Sequence, residues 1–160
     1  MFLFSTDKGE VVLERVTVKN DGGTALSFTN VIEKFAGACT LEYHFDDETL
    51  KQTSKADFDR FWTLPRFASN IQLIGLSEEC DVDSYLNYLK KFKIRGYEQP
   101  PCIELYYRFE ISDEYKARLE SIADETIAIK RFETYPPFVC FPGLGILKFS
   151  TLHSAFCNNY

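Results

Sequence analysis

The stretch CIELYYRFEI, residues 102–111, alternates with a period of two. Ile103, Leu105, Tyr107, Phe109 and Ile111 fall on one side of an extended chain, and Glu104, Tyr106, Arg108 and Glu110 fall on the other. A strand that is apolar on one side and polar on the other belongs in a sheet with one packed face and one wet face. Antiparallel sheets are the usual home of that pattern. The segment CTLEYHF (39–45) repeats it, with Leu41, Tyr43 and Phe45 opposite Thr40, Glu42 and His44. Together the two stretches predict an α+β fold whose sheet is mixed or mainly antiparallel, with one face covered by short helices.

Outward from these strands, the helices announce themselves by their caps. Ser54 precedes a stripe of Phe58, Phe61 and Trp62, and Pro65 stops it. Ser112, followed by Asp113 and Glu114, opens a helix spaced by Tyr115, Leu119 and Ile122. Val82, Tyr85, Leu86 and Leu89 follow a helical period, with acids before them and Lys90, Lys91 and Lys93 at the far end. Asn30 with Glu33 three residues on resembles a capping box for a short helix in NVIEKFAGA (30–38), with Gly37 near its end. IQLIGL (71–76) reads as a buried strand. EVVLERVTVK (10–19), turning at NDGG, reads as the first arm of a hairpin. TIAIKRF and GILKFSTL read as late strands on either side of the Pro-rich loop TYPPFVCFPG. No internal repeat or long linker stands out, and 160 residues predict one domain.

A net charge of −6 argues against unspecific binding to nucleic acid or anionic membranes and suits a basic protein partner. Fifteen Phe, nine Tyr and one Trp exceed what a core of this size requires, so some rings are expected at the surface as partner anchors. Cys39, Cys80, Cys102, Cys140 and Cys157 form no CxxC pair, which predicts free thiols and no zinc ribbon. The start MFLFSTDKGE has no basic leader, and no apolar run approaches the ~18 residues of a membrane span. A cytoplasmic location is expected.

Two acidic runs invite chemistry. SEECDVDS (77–84) fails as a calcium loop, because a frame starting at Glu79 puts Ser84 where glycine is needed and Lys90 where glutamate is needed. Asp81 capping the next helix explains the run without a metal. In EYHFDDE (42–48), Glu42, His44 and Asp46 share a strand face, but a metal would need a second source of ligands. His153 stands four residues before Cys157, and sequence proximity alone does not make a catalytic pair. FPGLGILKF lacks the helix and small residue of a dinucleotide loop. No catalytic, metal or cofactor site is therefore expected.

What remains is recognition: a protein-binding inhibitor, most simply an immunity-type protein that covers a cytosolic toxin, a basic nuclease being one candidate. Acids would steer the encounter and aromatic rings would hold it. The expected contact residues are Glu42, His44, Asp46, Asp47, Glu48, Glu78, Glu79, Glu104, Tyr106 and Glu110. A small enzyme or ligand-binding protein with dispersed site residues, and a structural adaptor, are the alternatives.

Overall fold

A computed structural model describes residues 9–14, 18–35, 37–64, 68–95, 102–108, 110–129 and 136–157, the side chains of 91–95 excepted. Five strands, β1 (Glu10–Leu13), β2 (Thr40–His44), β3 (Asn70–Leu76), β4 (Cys102–Tyr107) and β5 (Phe138–Cys140), form one sheet in the order of the chain. Every pairing is parallel. The expectation of an α+β fold with a mixed or mainly antiparallel sheet is therefore wrong: the fold is of the α/β type. The physical reason lies between the strands. Helices α1 (Phe28–Lys34), α2 (Asp47–Gln52), α3 (Lys55–Phe61), α4 (Val82–Arg95) and α5 (Asp113–Ala128) return the chain to the same end of the sheet before each new strand begins. Alternation in β2 and β4 reports that one face is uncovered; it says nothing about strand direction.

Glu10 pairs with Thr40, Thr40 with Asn70 and Asn70 with Cys102, so equivalent positions recur at intervals of 30, 30 and 32 residues. The sequence shows no repeat, yet the strand–helix unit recurs and each strand pairs only with its neighbours, as in a solenoid. Crossovers between parallel strands are almost always right-handed. With strand order advancing in one direction, that handedness puts every crossover helix on one face. The core agrees. Leu41, Ile71, Leu73, Ile103, Leu105 and Val139 from the strands share one buried cluster with Val31, Ile32, Phe58, Phe61, Val82, Tyr85, Leu119 and Ile122 from the helices.

Helix α6 (Ile146–Cys157) is placed differently. Its Leu152 and Phe156 pack with Ala123 of α5, with Phe138 of β5 and with Cys102 of β4. It thus folds over the β5 side of the sheet and reaches the face opposite the crossover helices. The sequence reading of GILKFSTL as a strand fails here: Phe149, Leu152 and Phe156 are spaced for a helix. TIAIKRF also fails as a strand, since Thr126–Ala128 form the last turn of α5 and 130–132 lie outside the described residues. The Pro-rich segment read as a loop contains β5.

Other boundaries are corrected by local chemistry. Among the described residues the NDGG turn makes an isolated antiparallel bridge, Lys19 to Ala25, and 15–17 of the expected first arm lie outside them. Ser27, not Asn30, caps α1, its hydroxyl accepting from the Asn30 N–H. The segment read as a loop after β2 is α2, capped by Asp46, whose Oδ1 accepts from the Thr49 N–H at 2.8 Å. Ser54 does cap α3, in a full capping box with Asp57, and Ser112 caps α5. The described aromatic rings fill the core. Phe28 meets Tyr43, Phe45, Phe58 and Phe61 at centroid distances of 5.0–5.4 Å. Among the described residues no aromatic side chain is exposed; Tyr106, Tyr115, Phe35 and Phe149 are half-buried.

Candidate functional site: the open face of the sheet

Parallel sheets normally have both faces covered. Among the described residues the face opposite the crossover helices receives only α6, beside β5, so the side chains of β1–β4 that point away from the core form a surface in register. One rung reads Val12, Glu42, Gln72, Glu104 and, under α6, Phe138. The next reads His44, Ile74, Tyr106 and Cys140. Glu42, His44, Gln72, Ile74, Glu104 and Tyr106 are all half-buried, and Val12 is 50% exposed.

Hydrogen bonds hold these groups upright. Glu42 Oε1 bonds His44 Nε2 along β2. Gln72 Nε2 donates across the strands to Glu104 Oε1 at 3.0 Å, and the Tyr106 hydroxyl donates to Glu104 Oε2 at 2.6 Å. Burial first, and then the Glu104 carboxylate, push the Tyr106 phenol well above its ordinary value, so it remains a donor. The alternation thus brings four of the sequence-derived residues together: Glu42, His44, Glu104 and Tyr106. Sequence reading missed Gln72, Val12 and Ile74. The signal for Gln72 was a lone amide inside IQLIGL, in step with Glu42 and Glu104.

The remaining expected contact residues lie elsewhere, around the ends of the strands from which the helices depart. Asp46 caps α2. Asp47 takes Arg108 at 2.6 Å, and Glu110 takes the same guanidinium at 2.7 Å, which holds the Glu110 carboxyl below its usual range. Glu78 accepts from the Ser112 N–H, and Glu48 and Glu79 are exposed. Asp81 supports α4 as foreseen, accepting from the Asp83 N–H at 3.1 Å. Lys91, Lys93 and Arg95 have side chains outside the described residues.

In open parallel sheets ligands settle at these strand ends, in the crevice where strand order reverses. Among the described strands the order never reverses. The expected Glu42–His44–Asp46 alignment is broken, because Asp46 turns away to cap α2, and among the described residues no group of three or more His, Cys, Asp and Glu is placed to hold a metal ion. Cys157 Sγ sits 3.7 Å from the His153 ring, with both residues exposed on α6. No described helix is long and apolar enough to cross a membrane.

The chain matches no family model, no curated protein and no solved structure. The open face is thus read from its own chemistry: a hydrogen-bonded, half-buried array of acceptors and donors, flanked by Val12 and Ile74.

Proposed function

We propose that this chain works by binding another protein across the open face of its sheet, and that it inhibits by cover: a partner with a basic surface, a nuclease toxin among the candidates, is blocked without chemistry being done on it. The observation that carries this reading is the face of β1–β4 that no described helix covers, since parallel strands are ordinarily buried on both sides and this face presents carboxylates, an imidazole, a phenol and two aliphatic groups in register. Net charge of −6 favours a cationic partner and disfavours nucleic acid. The five cysteines are free, which fits a reducing cytoplasm and is part of the same proposal.

The test compares what is captured from host extract by the tagged wild-type chain, by Val12→Lys and Ile74→Lys on the open face, and by Glu114→Lys on exposed α5. Proteins held by wild type and E114K but released by both face variants are the expected result. The purified partner should then lose activity at one equivalent of wild type and keep it with V12K. Equal capture by all four chains, with folding unchanged by circular dichroism, would overturn the reading.

A further inference from the structure

We infer that His153 and Cys157 on the outer side of α6 form half of a tetrahedral site for zinc or a cation of like softness, and that the same pair from a second copy of this chain completes it. The site lies on a different surface from the open sheet face and does not depend on what that face binds.

Residues four apart on a helix lie on the same side, one turn above the other, and that spacing lets two side chains hold one cation. Both residues are exposed, and Cys157 Sγ lies 3.7 Å from Nδ1 and 3.7 Å from Nε2 of His153. In tetrahedral zinc, sulfur at about 2.3 Å and imidazole nitrogen at about 2.0 Å from the metal stand about 3.6 Å apart. The two donors are therefore already as close as a shared cation requires. Equal distances to both nitrogens mean that the thiol is not committed to a directed bond with either. The imidazole is steadied by Phe149, stacked at 5.9 Å, and by Phe138, edge-on at 6.1 Å, so the thiol is the donor that turns to meet the metal. Thiolate with imidazole suits zinc and disfavours magnesium or calcium, which prefer oxygen.

Two donors fill two of the four positions of such an ion. Among the described residues no third His, Cys, Asp or Glu joins them. A two-fold axis beside α6 supplies the missing donors as the same pair again. Charge favours that arrangement. The other exposed residues of α6, Ile146, Leu147, Ser150, Thr151 and Ser154, are uncharged, and its one lysine, Lys148, is paired with Glu120 and Asp124 of α5. Chains of net charge −6 repel one another, and a neutral strip lets two copies approach. A divalent cation held by two thiolates and two neutral imidazoles adds no net charge to that strip. Each thiol releases its proton to solvent on binding. The metal bonds supply the affinity that a contact as small as one helix face lacks.

The test titrates metal-free chain with zinc chloride and follows mass by light scattering, with a phosphine reductant present so that no disulfide forms. Zinc should convert monomer to dimer at one ion for each pair of chains, and EDTA should reverse it. Cobalt(II) in place of zinc should give the visible bands of a tetrahedral ion and the near-ultraviolet charge-transfer band of a thiolate ligand. Cys157→Ser should abolish the dimer and the charge-transfer band, and His153→Gln should abolish the dimer. Cys39→Ser, which removes the other exposed thiol, should change neither. A chain that stays monomeric with zinc, a dimer that ignores EDTA, or a zinc-dependent dimer kept by both C157S and H153Q overturns the inference. Each of these outcomes leaves the reading of the open face untouched.

Discussion

A Cβ placed on Gly75 would stand 2.6 Å from the carbonyl oxygen of Phe45. Gly75 also has φ of +82°, where side chains are strained. It is the extra residue of a bulge in β3: Ile74 pairs with Tyr106 and Leu76 with Tyr107. The insertion returns Leu76 to the core while Ile74 stays on the open face. Gly75→Ala is therefore expected to destabilise the fold by about 2–4 kcal/mol, strain and overpacking together. Urea unfolding checks this as a lowered midpoint at unchanged slope; a midpoint equal to wild type would contradict it.

Phe58 is fully buried, with Phe28 and Phe45 at centroid distances of 5.4 and 5.7 Å. Phe58→Ala should cost about 3–5 kcal/mol. Leu147, 81% exposed in the first turn of α6, is a counterexample to any rule based on hydrophobicity alone. Leu147→Ser should change stability by less than about 0.5 kcal/mol. Equal losses in the two variants would mean that the assigned core is wrong.

Burial works to raise the Asp81 carboxyl, but bonds from the Asp83 N–H, Lys55 and Ser84 outweigh it and hold the group below its ordinary value. A depressed folded value stabilises the fold above the unfolded value, and that stabilisation is lost as pH falls through the folded one. Asp81→Asn keeps a capping side chain but removes the charge. The gap in Tm between wild type and D81N should be widest near neutral pH and close in acid below the ordinary aspartate range. A gap that does not change with pH would show that the charge contributes nothing.

Thiol reactivity should divide the cysteines. Cys39 and Cys157 are exposed, Cys80 and Cys102 are buried, and burial raises the thiols of Cys80 and half-buried Cys140. Native protein at pH 8 should release one burst of two equivalents from a disulfide reagent, with Cys140 slower and the buried pair reacting only after unfolding. Rapid labelling of Cys80, located by peptide mapping, would disprove its placement.

Much of the local structure was legible because it depends on near neighbours. Ser54 and Ser112 mark helix starts whose hydroxyls need only a residue three positions on, and Leu41 and Tyr43 alternate with Glu42 because a strand has two sides. The direction of pairing was not legible, since it depends on where crossover helices deliver the chain, tens of residues away. The same limit hid β5, a three-residue strand whose place is fixed by β4 and α6 rather than by its own Pro-rich surroundings. At the candidate site, alternation sufficed for Glu42, His44, Glu104 and Tyr106. It could not reveal that Asp47 and Glu110 meet through Arg108, a contact across 61 residues.

Strands laid side by side in the order of synthesis never have to be threaded between two that are already joined. Each newly made segment finds its template complete and waiting at the growing edge, so assembly can keep pace with translation from β1 toward β5. A slow search among competing pairings, the usual burden of parallel architectures, is shortened to one step at a time.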